Sequence, residues 1–569
     1  MKMLQSILLL DVTCSPEILI CSLKKKPVSQ MLSRVKLCRI RHSLIVRAYT
    51  TNTIAKYHAH DTRTRRTLKQ AHRTRVKNSS FADLAASDNI FQMEIADFLS
   101  QQALNLEVVE NGSDTIEQFY DRRSRPVIQL DATVLYQTAN GDGLALISKG
   151  AYLEYAETGF TVVQIPKALV GDNVKIQVKR HYRFFAEAEV IGFNSVTSPL
   201  RNNDLIVCSH FDSCSGCQFQ MVSYDEQLKL KQATIQKAYK ILFPDQPQSP
   251  DTFGVVVPSP LQYAYRSKLT PHYHFQRENF TNKTVPNIGF QHSSKDKGIV
   301  DIHECPLATS TVESALSGVR EETQNSIMAN YEKGAKQKGA TLFLRESLRI
   351  NSQTGESSKT CLTDSKKVCT EKIGESIFQF PANEFFQVNS AILPDVVDFV
   401  RYSMSSKGIR NIVDAYCGSG FFGISLANDV KNGKVVGIEI SRQAIKYATH
   451  NAKLNGLAVP QHVQFIEGTS NAIFKHERFL SAELNPEETM VIIDPSRKGS
   501  DESFLQQLHE FGPKLIVYVS CNVFSQARDL QYFTAMLQKY TVREVIGFDF
   551  FPQTKHVECV AVLERKDYE

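Results

Sequence analysis

Two residues near the end of the chain carry reactive groups where strands stop. Cys521 closes Leu515-Ile-Val-Tyr-Val-Ser520-Cys521-Asn522, an apolar run that ends in a thiol flanked by Ser and Asn. A buried cysteine usually serves as a small hydrophobe. Polar flanks at a strand's carboxyl end are instead the setting of a nucleophilic thiol. Glu558 follows in Gln553-Thr-Lys-His556-Val-Glu558-Cys-Val560, with His556 as an alternative base. The pair suits a demanding reaction. Carbon 5 of uracil is a poor nucleophile, and a thiolate adding to carbon 6 converts the ring to an enolate able to attack a methyl sulfonium. The adduct must then lose its carbon-5 proton to a general base before the thiolate can leave.

A nucleotide-type cofactor has a place upstream. Asn411-Ile-Val-Asp-Ala-Tyr-Cys-Gly418-Ser-Gly420 reads as a strand entering a glycine-rich turn, where glycine lets the backbone approach a ligand. The next strand, Val435-Val-Gly-Ile-Glu439, ends in an acid at the distance that reads ribose hydroxyls in dinucleotide folds. Gly418-Ser-Gly420-Phe-Phe-Gly423 also satisfies G-x-G-x-x-G, so a flavin or nicotinamide oxidoreductase is a competing reading. Two acids favour S-adenosylmethionine: Asp414, four residues before the first glycine, and Asp494 in Val491-Ile-Ile-Asp494-Pro495-Ser-Arg497. Asp414 is read either as a structural acid or, preferably, as one that orients the cofactor.

Cys208-x5-Cys214-x2-Cys217 and Cys305-Pro306 offer four thiolates. Such a set suits tetrahedral zinc or an iron–sulfur cluster. The three-plus-one spacing ending in Cys-Pro favours [4Fe–4S], with zinc as the alternative and four free thiols as the bland one. His210 and His303 are not expected to be ligands.

These groups need elements to hold them. From Phe378 onward, strand-like runs at 411–415, 435–439, 490–494 and 515–520 alternate with helical stretches, as in a doubly wound α/β sheet. Two successive strands, 542–550 and 557–563, close it, as in class I methyltransferases. Val127 to Phe193 alternates like a small all-β barrel, including strands at 174–178 and 186–190; it resembles the OB-like TRAM domain of RNA-modifying enzymes. A helix is expected over 89–102 and another over 224–242. Residues 263–290 read as strand-like and rich in Tyr, His, Arg and Lys, a composition that suits single-stranded RNA. The expected divisions are a basic arm at 1–78, a linker at 79–125, the barrel at 126–194, a central RNA-binding domain with the cysteines at 195–377, and a methyltransferase domain at 378–569.

Composition bounds the rest. The chain has 569 residues, too many for one ordinary core. No uninterrupted apolar run approaches the ~18–20 residues of a membrane span. Twelve cysteines in a chain this long, with no secretory signal, do not read as a disulfide framework. The net charge of +6 conceals an asymmetry, since Asp11, Glu17 and Asp61 are the acids of the first eighty residues. RNA binding would therefore rest on local basic patches. The arm itself reads as a mitochondrial presequence, an RNA-touching tail or an inert extension; without a presequence, cytoplasm or nucleus is expected. No obligate protein partner is evident.

Phe385-Phe-Gln387-Val-Asn389, Asp414-Ala-Tyr416-Cys-Gly418-Ser-Gly420, Asp494-Pro-Ser-Arg497, Ser520-Cys521-Asn522 and His556-Val-Glu558 occur in the order of the RNA uracil-5-methyltransferase family, which the chain resembles from about Pro126 to its end. The resemblance implies that Gln387, Tyr416, Glu439 and Asp494 contact S-adenosylmethionine, and that Cys521 and Glu558 are nucleophile and base. It also implies uridine 54 of the transfer RNA T-loop as target, with ribosomal RNA as the alternative, and the cysteine segment is similar to the cluster of the ribosomal RNA branch. The chain departs from the family pattern at Ser496 and Val523, where prolines are usual, and at Phe421, where a cofactor-contacting asparagine is usual. Cytosine-5 enzymes carry their nucleophile beside the Asp/Pro strand, and no cysteine lies between Met490 and Gly499. An RNA-binding folding helper that needs no catalysis is the reading from another class; a phenotype rescued equally by Cys521→Ala would mark it.

Overall fold

The computed structural model describes residues 85–104, 128–148, 159–182, 185–246, 249, 251–294, 297–351 and 353–566. The basic arm, and the presequence expected in it, lie outside the described residues. Of the 79–125 linker the structure describes one helix, α1 (Ser87–Gln101). Its Phe91, Ile95, Phe98 and Leu99 are buried against Tyr136, Leu144 and Val162 of the barrel that follows.

That barrel comprises β1 (Gln129–Gln137), β2 (Gly143–Ser148), β3 (Phe160–Ile165), β4 (Asn173–His181) and β5 (Phe185–Phe193), closed in the order β1-β2-β3-β5-β4. Alternation along β1 buries Ala132, Val134 and Tyr136 and exposes the residues between them, the period of two that a half-buried strand imposes. The helix α2 (Tyr224–Leu242) spans the expected residues. Its buried Lys231 pairs with Asp549 and donates to the carbonyl of Phe551 (3.0 Å). Asp549 and Phe551 belong to the loop that leads to Glu558.

The central region corrects one expectation. Residues 263–290 are mostly irregular: β6 (Lys268–Leu269), β7 (His272–Tyr273), a short helix at Arg277–Asn282, and the start of β8 (Gly289–Gln291). Pro271 separates β6 from β7 because it has no amide to give a ladder. β7 and β8 pair with β9 (Ile299–Asp301) and β10 (Ala340–Thr341) in the order β10-β7-β8-β9; β6 pairs with β11 (Leu344–Ile350), which also pairs with β12 (Ser357–Leu362). The helix α3 (Ser310–Glu332) packs Val312, Leu316 and Ile327 into the same cluster. A hairpin of β13 (Val368–Ile373) and β14 (Ser376–Pro381) joins the next core through Cys369, Ile373, Phe378 and Phe380.

The last unit is a seven-stranded sheet: β15 (Asn411–Ala415), β16 (Val435–Glu439), β17 (Val463–Glu467), β18 (Thr489–Ile493), β19 (Leu515–Ser520), β20 (Tyr540–Phe548) and β21 (Glu558–Arg565), in the order β17-β16-β15-β18-β19-β21-β20. The first five are parallel; β21 is antiparallel to both its neighbours. Among the helices of this unit are α4 (Leu393–Met404), α5 (Phe421–Leu426), α6 (Arg442–Leu454), α7 (Glu502–Phe511) and α8 (Val523–Gln531). Every residue of β18 and β19 is buried, the condition that turns parallel strands into unbroken apolar runs. Among the described residues no helix is long and apolar enough to cross a membrane.

Candidate active site

The reactive residues gather at one edge of this sheet, where β15, β16, β18 and β19 end and β21 begins. Register makes the central pairing. Ser520 of β19 lies opposite Cys559 of β21, so the residue after Ser520 and the residue before Cys559 meet: Cys521 and Glu558. Ile493 of β18 is in register with Tyr518 of β19, which brings Asp494 to the same edge. Such strand-end crevices are where open α/β sheets bind ligands.

The turn after β19 is fixed by its polar flanks. The Asn522 amide donates to Ser520 Oγ (3.1 Å), and the Asn522 side chain accepts from Phe524 N–H (3.2 Å), capping α8. Asn522 Nδ2 and Ser525 Oγ both donate to the Arg497 carbonyl, at 2.9 and 2.7 Å. The cysteine turn and the Asp494–Arg497 turn are thereby one hydrogen-bonded assembly. Proline at the first helical position is pre-organised for a helix start; here the Asn522 cap begins α8 with Val523, which is buried in that place.

Charge is crowded at this point. Burial, reinforced by Asp494, pushes the Glu558 carboxyl up to about 8, and Arg497 opposes the shift. Burial, then the neighbouring Glu558 and Asp494, pushes the Cys521 thiol up to about 12, while Arg497 pulls it down by charge and by a hydrogen bond. Asp494 is half-buried as a residue, and burial of its carboxyl raises it to about 7. His556 is driven down to about 3 by burial and by Lys555 and Arg497, so at neutral pH it is an uncharged, weak base. Arg497 was legible in the sequence as part of a motif, but its proximity to the thiol was not.

The glycine turn lies at the other end of the crevice. Gly418 has φ +53° and open space where a Cβ would stand, and Gly420, at φ +90°, would put a Cβ 2.8 Å from Ile424. Glu439 accepts from the amides of Gly418 (3.3 Å) and Ser441 (2.9 Å). Tyr416, also at positive φ (66°), meets Phe504 edge-on, ring centroids 5.4 Å apart. Gln387 is half-buried on the segment before α4, between exposed Phe385 and half-buried Val388. Ile440, beside Glu439, is exposed as well. Phe421 packs against Phe386 and Phe422. The buried Asp414 carboxylate accepts from Gly423 N–H (2.8 Å) at the start of α5, which gives it a structural role, and it lies near enough to Asp494 and Glu439 to feel both charges. Burial raises it to about 7.

The four cysteines form a second group, away from this edge. Cys208, Cys217 and Cys305 each feel the charge of at least one other of the four, Cys214 in every case. Gly216 N–H donates to Cys214 Sγ (3.4 Å), and the amides of His210 and Leu307 donate to the sulfurs of Cys208 and Cys305. Three of the four sulfurs thus accept the amide two residues on. Among the described residues no three His, Cys, Asp or Glu side chains are arranged around the position of a single metal ion.

A family model described as tRNA (Uracil-5-)-methyltransferase matches residues 347–566, and a TRAM-domain model matches residues 126–191. The chain is 34% identical over 565 residues to the tRNA (uracil(54)-C(5))-methyltransferase of Saccharomyces cerevisiae, covering 89% of this chain and 85% of that one. It is 36% identical over 454 residues to the Schizosaccharomyces pombe protein of the same name, covering 77% and 78%. The solved structure of Pyrococcus abyssi tRNA (uracil-54, C5)-methyltransferase in complex with S-adenosyl-L-homocysteine matches with a TM-score of 0.52 at 21% identity, covering 76% of this chain and all of that one. At that identity the likeness shows a shared fold.

Proposed function

Because the chain belongs to the tRNA (uracil-5-)-methyltransferase family, we propose that it methylates carbon 5 of uridine 54 in the transfer RNA T-loop from S-adenosylmethionine, with Cys521 as nucleophile and Glu558 as base. The observation that carries this reading is the register of β19 against β21, which sets a thiol and a carboxyl side by side at the ligand edge of the sheet. The target base must be splayed from its loop to reach them, at a cost on the order of a few kcal/mol. Cys521 then adds to carbon 6, and electron density moves to carbon 5, which takes the methyl group. Arg497 favours the thiolate that begins this sequence. Glu558 removes the carbon-5 proton, the carbon 5–carbon 6 double bond reforms, and the thiolate departs.

S-adenosylmethionine, when bound, supplies an electrophilic methyl on a positively charged sulfur. The residues fit such a group. The open space over Gly418 admits it, Glu439 is set by two amides to receive ribose hydroxyls, and exposed Phe385 and Ile440 offer apolar faces to a purine. Gln387, Tyr416 and Asp494 complete the set by position. Glu439→Ala should raise the KM for S-adenosylmethionine about ten- to a hundredfold with a smaller change in kcat, the loss of charged hydrogen bonds worth about 1.5–3 kcal/mol. Steady-state kinetics at saturating RNA measures it.

Cys208, Cys214, Cys217 and Cys305 would hold an iron–sulfur cluster. The amides aimed at three of the sulfurs support this, since hydrogen bonds to the sulfurs are among the protein's means of tuning such centres. Anaerobically purified protein should carry iron and acid-labile sulfide, and Cys214→Ser should lose both. Zinc in place of iron would remove this assignment and leave the methyl-transfer reading intact.

The reading as a whole is tested by transfer of labelled methyl from S-adenosylmethionine to unmodified transfer RNA and ribosomal RNA transcripts. Label at uridine 54, absent from a transcript with cytidine there, is the expected result. Label in ribosomal RNA alone would move the substrate, and none in either would remove the activity.

A further inference from the structure

Between the barrel and the cysteine segment lies a cavity of about 280 Å³. Its wall carries, among the described residues, four cations, Lys167, Lys179, Arg180 and Lys555, against two acids, Asp142 and Glu187. Among the described residues its lining is mostly polar and charged with no aromatic ring, so these residues would hold a ligand by charge and hydrogen bonds. Gln164 Nε2 donates to Asp142 Oδ2 (2.7 Å), and the Lys167 amide also donates to that carboxylate, which holds the Gln164 amide, with its carbonyl oxygen and second N–H, in a fixed pose on the wall. Lys179 is held by Glu189 (3.0 Å) in a partly exposed pair, the kind that contributes about 0–1 kcal/mol and yields readily to a phosphate.

The loop that leads to Glu558 reaches the cavity through Lys555. Lys555 precedes Glu558 by three residues; its Nζ donates to Asn140 of the β1–β2 turn (2.8 Å), and its amide donates to Gln218 Oε1 (3.1 Å). Gln218 follows Cys217 directly. The amides of Gln218 and Phe219 both donate to the Gln553 carbonyl, each at 3.0 Å. Gln553 is buried at φ 71° and is further fixed by Gln227 through two hydrogen bonds of 2.9 Å. One joint therefore joins barrel turn, cysteine segment and the loop that delivers Glu558.

We propose that this cavity seats a second nucleotide of the RNA substrate, its phosphate at Lys179 and Arg180 and its base edge at Gln164 and Asp142. The inference rests on the RNA reading given above and extends it. The volume admits one nucleotide and excludes a duplex, and the positive rim suits a strand already bound for its phosphates. A nucleotide here would touch Lys555 and Gln218, so the same strand that presents the target base would press on the loop behind the base catalyst.

The test uses the full-length protein with transfer RNA transcripts in which nucleotides flanking the target are replaced one at a time by abasic residues. Kd and KM are measured for the parent protein, for Gln164→Ala and for Lys179→Ala/Arg180→Ala. At one flanking position the abasic substitution should weaken binding to the parent about tenfold and to Gln164→Ala less than about twofold, the signature of a shared contact. Lys179→Ala/Arg180→Ala should weaken every transcript and flatten the salt dependence of Kd by about one phosphate contact. Equal abasic penalties in parent and Gln164→Ala, at every position, would overturn the proposal, as would an unchanged salt slope. Parent protein that couples in binding but transfers no methyl would instead remove the methyltransferase reading and keep the cavity.

Discussion

Cys521→Ala should abolish methyl transfer, by on the order of 10⁴-fold or more, while RNA affinity stays within about threefold. The thiol is asked to make the bond that turns carbon 5 into a nucleophile, and no neighbouring group can replace it. Ser520 Oγ is engaged with Asn522, and the Asn522 amide is committed to Nδ2 donation toward Arg497 and Ser525. His556 is neutral but belongs to the loop that carries the base. The substitution removes one half-buried sulfur and its hydrogen bond with Arg497, and leaves the Asn522 hydrogen bonds of the turn in place, because Asn522 caps α8 without it. Losing one buried heavy atom costs on the order of 1 kcal/mol, so the protein should fold and bind. Labelled-methyl transfer and filter binding on the same preparation separate the two quantities. Residual activity above about one part in a hundred would mean that methylation does not pass through this thiol.

Much of this site can be read along the chain, and the reason is burial. β15, β16, β18 and β19 are enclosed on both faces, so each spells an apolar run, and whatever polar residue ends the run marks the ligand edge: Glu439, Asp494, and Cys521 after Ser520. Edge strand β17 (Val-Gln-Phe-Ile-Glu) also ends in an acid, but Gln464 interrupts its apolar residues, which is why it is not evident from pattern. Residues 263–290 mislead in the opposite direction. Their aromatic and basic composition imitates a strand, but Pro271 and the helix at Arg277–Asn282 break it. Long-range pairings are silent in sequence altogether. Lys231 meets Asp549 from over three hundred residues away, and the insertion of β21 between β19 and β20 depends on a sheet order that no local signal specifies. Asp414 shows the limit on a smaller scale: its type and position leave a structural and a cofactor role both open, and the Gly423 amide at 2.8 Å, a helix-start contact, is not legible in sequence.

Glu558→Gln should leave the enzyme attached to its product. Glutamine keeps the shape of the side chain but cannot take a proton, so carbon 5 retains its hydrogen and the Cys521–carbon 6 bond cannot break. Turnover should fall about 10²- to 10⁴-fold, the usual worth of a positioned base. Formation of the adduct should not slow. Glu558 is one of the groups that push the thiol up to about 12, and removing its charge favours the thiolate. The expected observation is an RNA-linked band on a denaturing gel that carries labelled methyl, requires S-adenosylmethionine, and disappears in Cys521→Ala/Glu558→Gln. Acidity gives an independent check on the same residue. A base must be deprotonated to act, and burial with Asp494 holds Glu558 at about 8, so product release by the parent should rise with pH through the neutral range, about tenfold per unit well below 8, and level off above it. Glu558→Gln should lose that limb. His556 makes the opposite forecast: a base at about 3 would leave release independent of pH across the neutral range, and His556→Ala rather than Glu558→Gln would trap the adduct.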